Sequence, residues 1–336
     1  MNGEQMIIGG ILSPKYRDER IDSVKYCLMI LVVVGHVFSR KPFTSTQGCS
    51  VVWEWIYMFH MPLFVFLSGF FSYKKDTKNY ILSCWKLFEP LLIFQLLMRG
   101  IDYLFTGSVT WKDLLTPWWV LWYLLSLIYW RSFVQFMPDR LLRNVKALFL
   151  LASLVSIISG LLPFNRFLSL QRTLSFFPFF FLGYSMKGRR LYISTKYKPL
   201  CILFLAITLI LPFFFSKYLG DLNQAQPYNN IRDMFSRIFV FCLSLPISVA
   251  FINICPNIPW ISQQGRLTLY YYICHAIIIY FFMIIVSKYH LPTSFLAATL
   301  YTIVLIGGLG ITSYLPGIKY FTNPSTFIKK RNITKN

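Results

Sequence analysis

Residues 22–39 read DSVKYCLMILVVVGHVFS, an apolar stretch interrupted by Asp22, Lys25 and His36. A helix needs about 20 mostly apolar residues to cross the hydrocarbon core of a bilayer. Similar stretches recur along nearly the whole chain. In lipid, only helices and closed barrels satisfy all their backbone hydrogen bonds, and long continuous apolar runs do not fit the short alternating pattern of barrel strands. The sequence therefore predicts an all-α integral membrane protein.

Composition supports this fold class. The chain has 336 residues, of which 56% are hydrophobic and 13% are charged, and its mean hydropathy is +0.55. A soluble domain carries roughly 25% charged residues. About ten transmembrane helices are predicted, at residues 22–39, 51–72, 80–105, 117–136, 146–162, 168–186, 199–216, 233–252, 267–287 and 294–314.

Loop charges predict the orientation. Twenty basic residues fall in loops and tails on one side of these spans and seven on the other. The positive-inside rule places the richer side in the cytoplasm, together with both termini. We therefore expect a multi-pass protein of the cell (inner or plasma) membrane, with a cytoplasmic segment 1–21, a transmembrane domain 22–314 and a basic cytoplasmic tail 315–336. The seven outer residues are Arg40, Lys41, Lys112, Arg166, Lys217, Arg232 and Lys288.

The net charge of +21 would suggest nucleic-acid binding in a soluble protein. Here the basic residues lie in short loops between spans, so they indicate membrane orientation, and we expect no nucleic-acid partner. The seven cysteines form no CxxC pair and most lie within apolar runs. They predict neither a disulfide framework nor a metal site.

Ionisable residues inside spans are costly and need a partner or a purpose. Lys25 and His36 are eleven residues apart, about 16 Å along a helix, and nearly on one face, so both could line one internal cavity. The span directions place Lys25, Lys86 and Arg131 on the inner side, where cations suit a phosphorylated ligand. The outer and middle group could support acid–base work on a hydroxyl. It comprises His36, Glu54, Arg172, Arg237, His60 and His275.

Each of these residues also has a purely structural explanation. Lys25 could extend to the headgroups or pair with Asp22. Lys86 and Arg131 could likewise extend to the interface, and His60 or His275 alone could be an interhelical hydrogen-bond partner. The aromatic cluster after residue 117 is predicted to be an outer interfacial belt. That cluster consists of Trp118, Trp119, Trp122 and Tyr123.

Ordered motifs distinguish between these explanations. The stretch from Lys25 to His36 resembles the first helix of the membrane acyltransferase 3 family, in which a basic residue is followed by ten positions and then a histidine. The segment Phe59–Phe70, with His60 followed by Met-Pro-Leu-Phe, is similar to the second-helix motif of its fucose 4-O-acetylase-like and exopolysaccharide O-acetyltransferase branch. Further resemblances, spanning about residues 20–290 in all, are Lys86–Pro90, Trp122–Leu124, Arg172–Gly183 and Gly265–His275. The sequence departs from the family where Lys86 stands in place of a common arginine and Tyr123 in place of phenylalanine.

The resemblance implies transfer of an acyl group, most often acetyl, from cytoplasmic acyl-CoA to a carbohydrate hydroxyl. Acyl-CoA would be a co-substrate, and no bound cofactor is expected. An alcohol needs a base before it attacks, and His36 is the candidate base or transient acyl carrier. Arg172 is the candidate oxyanion partner and Glu54 a further catalytic candidate. The candidate substrate-binding residues are Asp22, Lys25, His60, Lys86, Arg131 and His275.

Two other classes remain as alternatives. A transporter or flippase for a glycan precursor would use the same intramembrane charges without covalent chemistry, and a structural membrane subunit would leave those charges unexplained. The ordered motifs, and the lack of the internal repeat that marks many transporters, favour the enzyme.

Overall fold

The computed structural model describes residues 18–315, so the basic tail and most of the N-terminal segment predicted from the sequence lie outside the described residues. Within 18–315 the chain forms α-helices and short 3₁₀ turns and no β-strand. The helices are α1 (Glu19–Phe38), α2 (Gln47–Phe70), α3 (Thr77–Thr106), α4 (Trp111–Leu115), α5 (Trp122–Phe136), α6 (Asp139–Arg143), α7 (Val145–Ile158), α8 (Leu170–Ser185), α9 (Lys198–Phe215), α10 (Ile231–Ile254), α11 (Pro259–Gly265), α12 (Thr268–Lys288) and α13 (Phe295–Thr312).

Seven helices in the described part of the chain are long and apolar enough to cross a membrane, in agreement with the predicted multi-pass, all-helical membrane protein. They are α1, α2, α3, α9 with its flanking turns, α10, α12 and α13. The other three predicted spans coincide with α5, α7 and α8, which have 15, 14 and 16 residues. These fall short of the about 20 residues that a full crossing needs. The count of ten spans and the cytoplasmic termini stay predictions.

The first helix shows why these boundaries arise. The Asp18 side chain accepts hydrogen bonds from the backbone N–H groups of Arg20, at 2.9 Å, and Ile21, at 3.3 Å. These are two of the N–H groups that a helix start leaves without an intrahelical partner. An unbroken apolar run then extends from Tyr26 to Val34, and the helix ends at Phe38. The cap fixes the start of α1 and thereby the height at which His36 lies.

Helix α2 is central and packs against α1, α8, α9 and α10. Its crossing with α8 depends on two glycines. A Cβ atom at Gly69 would lie 1.9 Å from the Phe180 carbonyl oxygen, and one at Gly183 would lie 1.9 Å from the Phe66 carbonyl oxygen. Small residues allow such backbone contact between membrane helices. This contact holds α8, and Arg172 near its start, beside α2.

Candidate active site

A cavity of about 730 Å³ lies among α1, α2, α3, α5, α8 and α12. Its volume falls within the roughly 300–1,000 Å³ of typical small-ligand sites. Four of the nine predicted site residues line it: His36, His60, Arg172 and His275. These residues are up to 239 positions apart in the sequence, and the helix packing brings them to one chamber.

A hydrogen-bond chain orients the His36 ring. The Ser39 hydroxyl donates to the His36 carbonyl oxygen, at 3.4 Å, so its own oxygen is free to accept from the Tyr57 hydroxyl, at 3.3 Å. The Tyr57 oxygen lies 2.7 Å from His36 Nδ1. With the tyrosine proton directed to Ser39, the tyrosine oxygen accepts from His36 Nδ1–H. In this tautomer the lone pair of His36 is on Nε2, the atom that a base would use.

The two other histidines adopt the same tautomer for a different reason. His60 Nδ1 lies 2.8 Å from the Ile56 carbonyl oxygen, and His275 Nδ1 lies 2.9 Å from the Tyr271 carbonyl oxygen. A carbonyl oxygen only accepts, so each Nδ1 carries the proton and each Nε2 is the acceptor. The buried His275 Nε2 has no hydrogen-bond partner within residues 18–315. A polar ligand atom in the cavity could supply that partner.

Aromatic rings and a second imidazole surround His36. Its ring stacks on His275, with centroids 5.4 Å apart and planes 17° from parallel, and meets Trp119 edge to face at 5.0 Å. Trp119 has a φ of 35°, which bulky residues rarely adopt. Strain of this kind concentrates at functional sites. The Arg40 guanidinium lies over the same indole at 4.1 Å.

Arg172 provides a fixed cation in the cavity. Its Nε donates to the Asn223 carbonyl oxygen, at 3.1 Å, and its guanidinium lies 4.8 Å from the centre of the Trp122 ring. These contacts leave its terminal nitrogens available to a ligand. A base and a positioned cation that line one cavity are a combination that acyl transfer to a hydroxyl can use.

Comparison with known proteins shows the family of the chain. The acyltransferase 3 family, described as an acyltransferase domain, matches residues 18–315. The chain belongs to the acyltransferase 3 family. Similar proteins include Nodulation protein NolL of Mesorhizobium japonicum (strain LMG 29417 / CECT 9101 / MAFF 303099), which is 27% identical over 236 residues, 64% of this chain and 59% of that protein. NolL of Sinorhizobium fredii (strain NBRC 101917 / NGR234) is 43% identical over 58 residues, 17% of this chain and 16% of that protein.

These matches therefore span less than two thirds of either relative's length. No solved structure matches the chain significantly.

Glu54 lies away from the cavity. It is buried on α2, and its Oε1 accepts from the Ser216 hydroxyl at 2.7 Å, while its Oε2 has no partner within the described residues. Glu54 is not among the cavity-lining residues. The structure thus separates it from His36 and Arg172, with which the sequence analysis had grouped it.

Lys25 does not share the His36 cavity, although both residues are on α1. Its ammonium pairs with Asp22 at 3.0 Å and lies 4.6 Å from the centre of the Phe71 ring. The expectation that Lys25 and His36 line one cavity is therefore wrong for the cavity described here. The pairing with Asp22 that the sequence suggested is confirmed.

A separate cationic cluster comprises Lys75, Lys86 and Arg131. Burial, and then the like charges of Arg131 and Lys86, lower the pKa of Lys75, which lies in the loop between α2 and α3. Tyr123, on the same helix as Arg131, lines the cavity, and its hydroxyl bonds the Ser68 hydroxyl at 2.5 Å. Lys86 and Arg131, two of the three cations predicted on the inner side, therefore belong to one group.

The prediction that the aromatic residues between Trp118 and Tyr123 form an outer interfacial belt is wrong. Trp118 and Trp122 are buried, and all four residues of that segment line the cavity. The segment precedes and begins α5, where Trp122 stacks on Phe176 of α8 and Tyr123 meets Tyr272 of α12. Tyr57 and Tyr272 also line the cavity and were not predicted from the sequence. The spacing of Tyr57 three residues before His60, within about one helical turn, was the available signal.

Proposed function

We propose that this protein transfers an acyl group, most simply acetyl, from acyl-CoA to a hydroxyl of a carbohydrate, with His36 as the base. The observation that carries the proposal is the chain from Ser39 through Tyr57 to His36. With the Tyr57 proton directed to Ser39, this chain favours the tautomer whose Nε2 can take a proton inside the cavity. An orienting partner behind a base is the arrangement that activates hydroxyl groups in many acyl-transfer enzymes.

The chemistry then proceeds in two steps. The acceptor oxygen bonds to the thioester carbonyl carbon as its proton moves to His36 Nε2, and the carbonyl oxygen becomes an oxyanion. Arg172 lies in the same cavity and can donate hydrogen bonds to that oxyanion. The carbon–sulfur bond then breaks, and the proton passes from His36 to the departing CoA sulfur.

An alternative route uses the same residue. His36 Nε2 could first accept the acyl group and then pass it to the hydroxyl. Both routes need Nε2 free of a protein partner, so the geometry supports His36 in either role. An initial burst of CoA release before the steady state, absent without His36, distinguishes the acyl-enzyme route from direct transfer.

The donor is assigned to the cationic side. Lys75, Lys86 and Arg131 form a group that suits the phosphates of CoA, and Lys25 adds a further cation on the side that loop charges place in the cytoplasm. In this arrangement the CoA phosphates bind outside the chamber, and the thioester reaches His36 past Tyr123. The protein would carry out this reaction in the inner or plasma membrane.

The acceptor is assigned to the aromatic part of the chamber. The rings of Trp118, Trp119, Trp122 and Tyr123 line the cavity beside His36, and the apolar faces of sugar rings pack on such surfaces while their hydroxyls hydrogen-bond. The resemblance to fucose 4-O-acetylase-like enzymes favours a surface glycan, an exopolysaccharide or its precursor as acceptor.

Mass spectrometry of surface glycans from cells with and without the gene tests this proposal. An acyl substituent that depends on the gene, and that returns with wild type but not with His36→Ala, is the expected result. Unchanged glycan acylation together with altered glycan export would instead support the transporter.

A further inference from the structure

A second cavity, a groove of about 430 Å³, runs beside α12 and adjoins the main cavity. Arg40, Trp119 and Tyr280 line both spaces. The two spaces are therefore neighbours that share these three side chains as a common boundary.

One face of α12 forms the wall of the groove. The lining positions recur at intervals of three to four residues, which is the spacing of a single helix face. The wall is apolar at Ile279, Met283 and Ile284 and becomes polar at its end, at Ser287 and Lys288. Ile284 is 37% exposed, in a helix that is apolar enough to span the membrane. The groove thus accepts a hydrocarbon chain.

Two cations flank this apolar wall. Arg40 follows the end of α1, and Lys288 is the last residue of α12. Within residues 18–315 neither side chain forms an ion pair, since the pairs there involve other residues. The Arg40 guanidinium lies over the Trp119 ring, and the Lys288 ammonium lies over the Tyr289 ring. Unpaired cations above an apolar groove complement an amphiphile with an anionic head, and phosphate is the group that such cations bind best.

We propose that the groove binds the hydrocarbon chain of a phosphate-bearing lipid that carries the acceptor sugar. Arg40 and Lys288 hold the phosphate, and the attached sugar passes Trp119 into the chamber with His36. This inference rests on the proposed function and narrows its acceptor to a lipid-linked glycan. A free sugar would need no apolar groove, and a bilayer phospholipid would gain nothing from an opening into the chamber.

Binding of farnesyl phosphate to the purified full-length protein in detergent, followed by native mass spectrometry, tests the groove itself. We expect Lys288→Gln to weaken binding by about tenfold or more, because it removes a charge-assisted contact with the phosphate. Met283→Trp should weaken binding as much, because the larger side chain fills the groove. The matched controls are Ile285→Trp, an exposed neighbour on α12 outside the groove lining, and Lys217→Gln. Both controls should bind as wild type.

Three results would overturn the proposal. Farnesol could bind as tightly as farnesyl phosphate, dioleoyl phosphatidylglycerol could displace the probe at equal concentration, or Met283→Trp could bind the probe unchanged. The first would remove the phosphate site, the second would make the groove an ordinary bilayer-lipid site, and the third would place the probe elsewhere.

An inhibition experiment connects the groove to the reaction. Farnesyl phosphate should inhibit acyl transfer competitively with the acceptor and not with acyl-CoA, and Met283→Trp should relieve this inhibition. Binding without competition against the acceptor would contradict the lipid-linked acceptor while leaving acyl transfer intact. If the protein showed no acyl transfer at all, the proposed function would fail, and the binding measurement would still decide whether the groove takes a phosphate-bearing lipid.

Discussion

The Tyr57 hydroxyl lies 2.7 Å from His36 Nδ1 and connects that ring to Ser39. This contact joins α1 to α2 at the wall of the cavity and determines which imidazole nitrogen is available there. Tyr57 is therefore a positioning residue in our proposal, since it acts on the reactants through His36.

Replacing Tyr57 should slow catalysis without abolishing it. Tyr57→Phe removes one hydrogen bond, worth about 0.5–1.5 kcal/mol, or roughly 2–13-fold in rate. We expect kcat to fall by that factor with the KM values for both substrates unchanged, because Tyr57 orients the base and binds neither substrate. Steady-state kinetics on the purified protein measure this split.

Tyr228→Phe is the matched control. Its hydroxyl donates to the Ile157 carbonyl oxygen, at 2.8 Å, and the residue is outside the main cavity lining. It should leave kcat unchanged. An equal loss in the two variants would assign the effect of Tyr57→Phe to general packing.

The cationic cluster should determine donor affinity. Arg131→Met or Lys86→Met removes a charge-assisted hydrogen bond to a CoA phosphate, worth about 1.5–3 kcal/mol, so the KM for acyl-CoA should rise roughly 10–150-fold. The KM for the acceptor should change far less, whereas Arg172→Met should mainly lower kcat because Arg172 meets the developing oxyanion. Lys112→Met, on α4 in a segment predicted to lie on the outer side, serves as control. An unchanged KM for acyl-CoA in both cluster variants would show that these cations only orient the protein in the membrane.

The α2–α8 crossing should tolerate no side chain at Gly69. Gly69→Ala would place a methyl group 1.9 Å from the Phe180 carbonyl oxygen, and overpacking of this kind costs about 1–3 kcal/mol or more. A lower thermal midpoint in detergent, with reduced yield, is expected. Gly100→Ala is the control, because a Cβ atom there would meet nothing within 4 Å. Equal midpoints for the two variants would be inconsistent with direct backbone contact at this crossing.

The predicted orientation can be tested with reporters. Fusions after Lys198 and after Lys335 should report cytoplasm, and a fusion near Asn223 should report the outside, because basic residues concentrate on the first side. A C-terminus on the outer side would exclude ten spans with both termini in the cytoplasm, and would reverse the side from which acyl-CoA enters.

Most of the fold was predictable from the sequence because apolar length is a local property. The first span was predicted at residues 22–39, and α1 runs from Glu19 to Phe38. The close contact of Gly69 with α8 could not be predicted, since it depends on a partner more than 100 residues away. The short helices α5, α7 and α8 show the limit of hydropathy, which does not distinguish a full span from a helix buried among others.

The site was predicted only in part, for a related reason. His36 and Arg172 lie in motifs that the sequence displays, and a lone histidine or arginine in an apolar run is conspicuous. Tyr57 and Trp119 lie in aromatic-rich segments where an interfacial role is equally consistent with the composition. Glu54 was also conspicuous, yet its helix directs it toward Ser216 and away from the cavity. Side-chain direction, rather than residue type, decided these cases.

Transfer of labelled acyl groups from acyl-CoA to the acceptor glycan by the purified wild-type protein and by His36→Ala tests the proposed chemistry most directly. Wild type should move label onto the glycan in proportion to CoA released, and His36→Ala should lose about 10²–10⁴-fold in rate, the usual contribution of general acid–base catalysis, while it folds with an unchanged thermal midpoint. A folded His36→Ala protein that retained more than about a tenth of the rate, or a wild-type protein that put no label on the glycan, would contradict it.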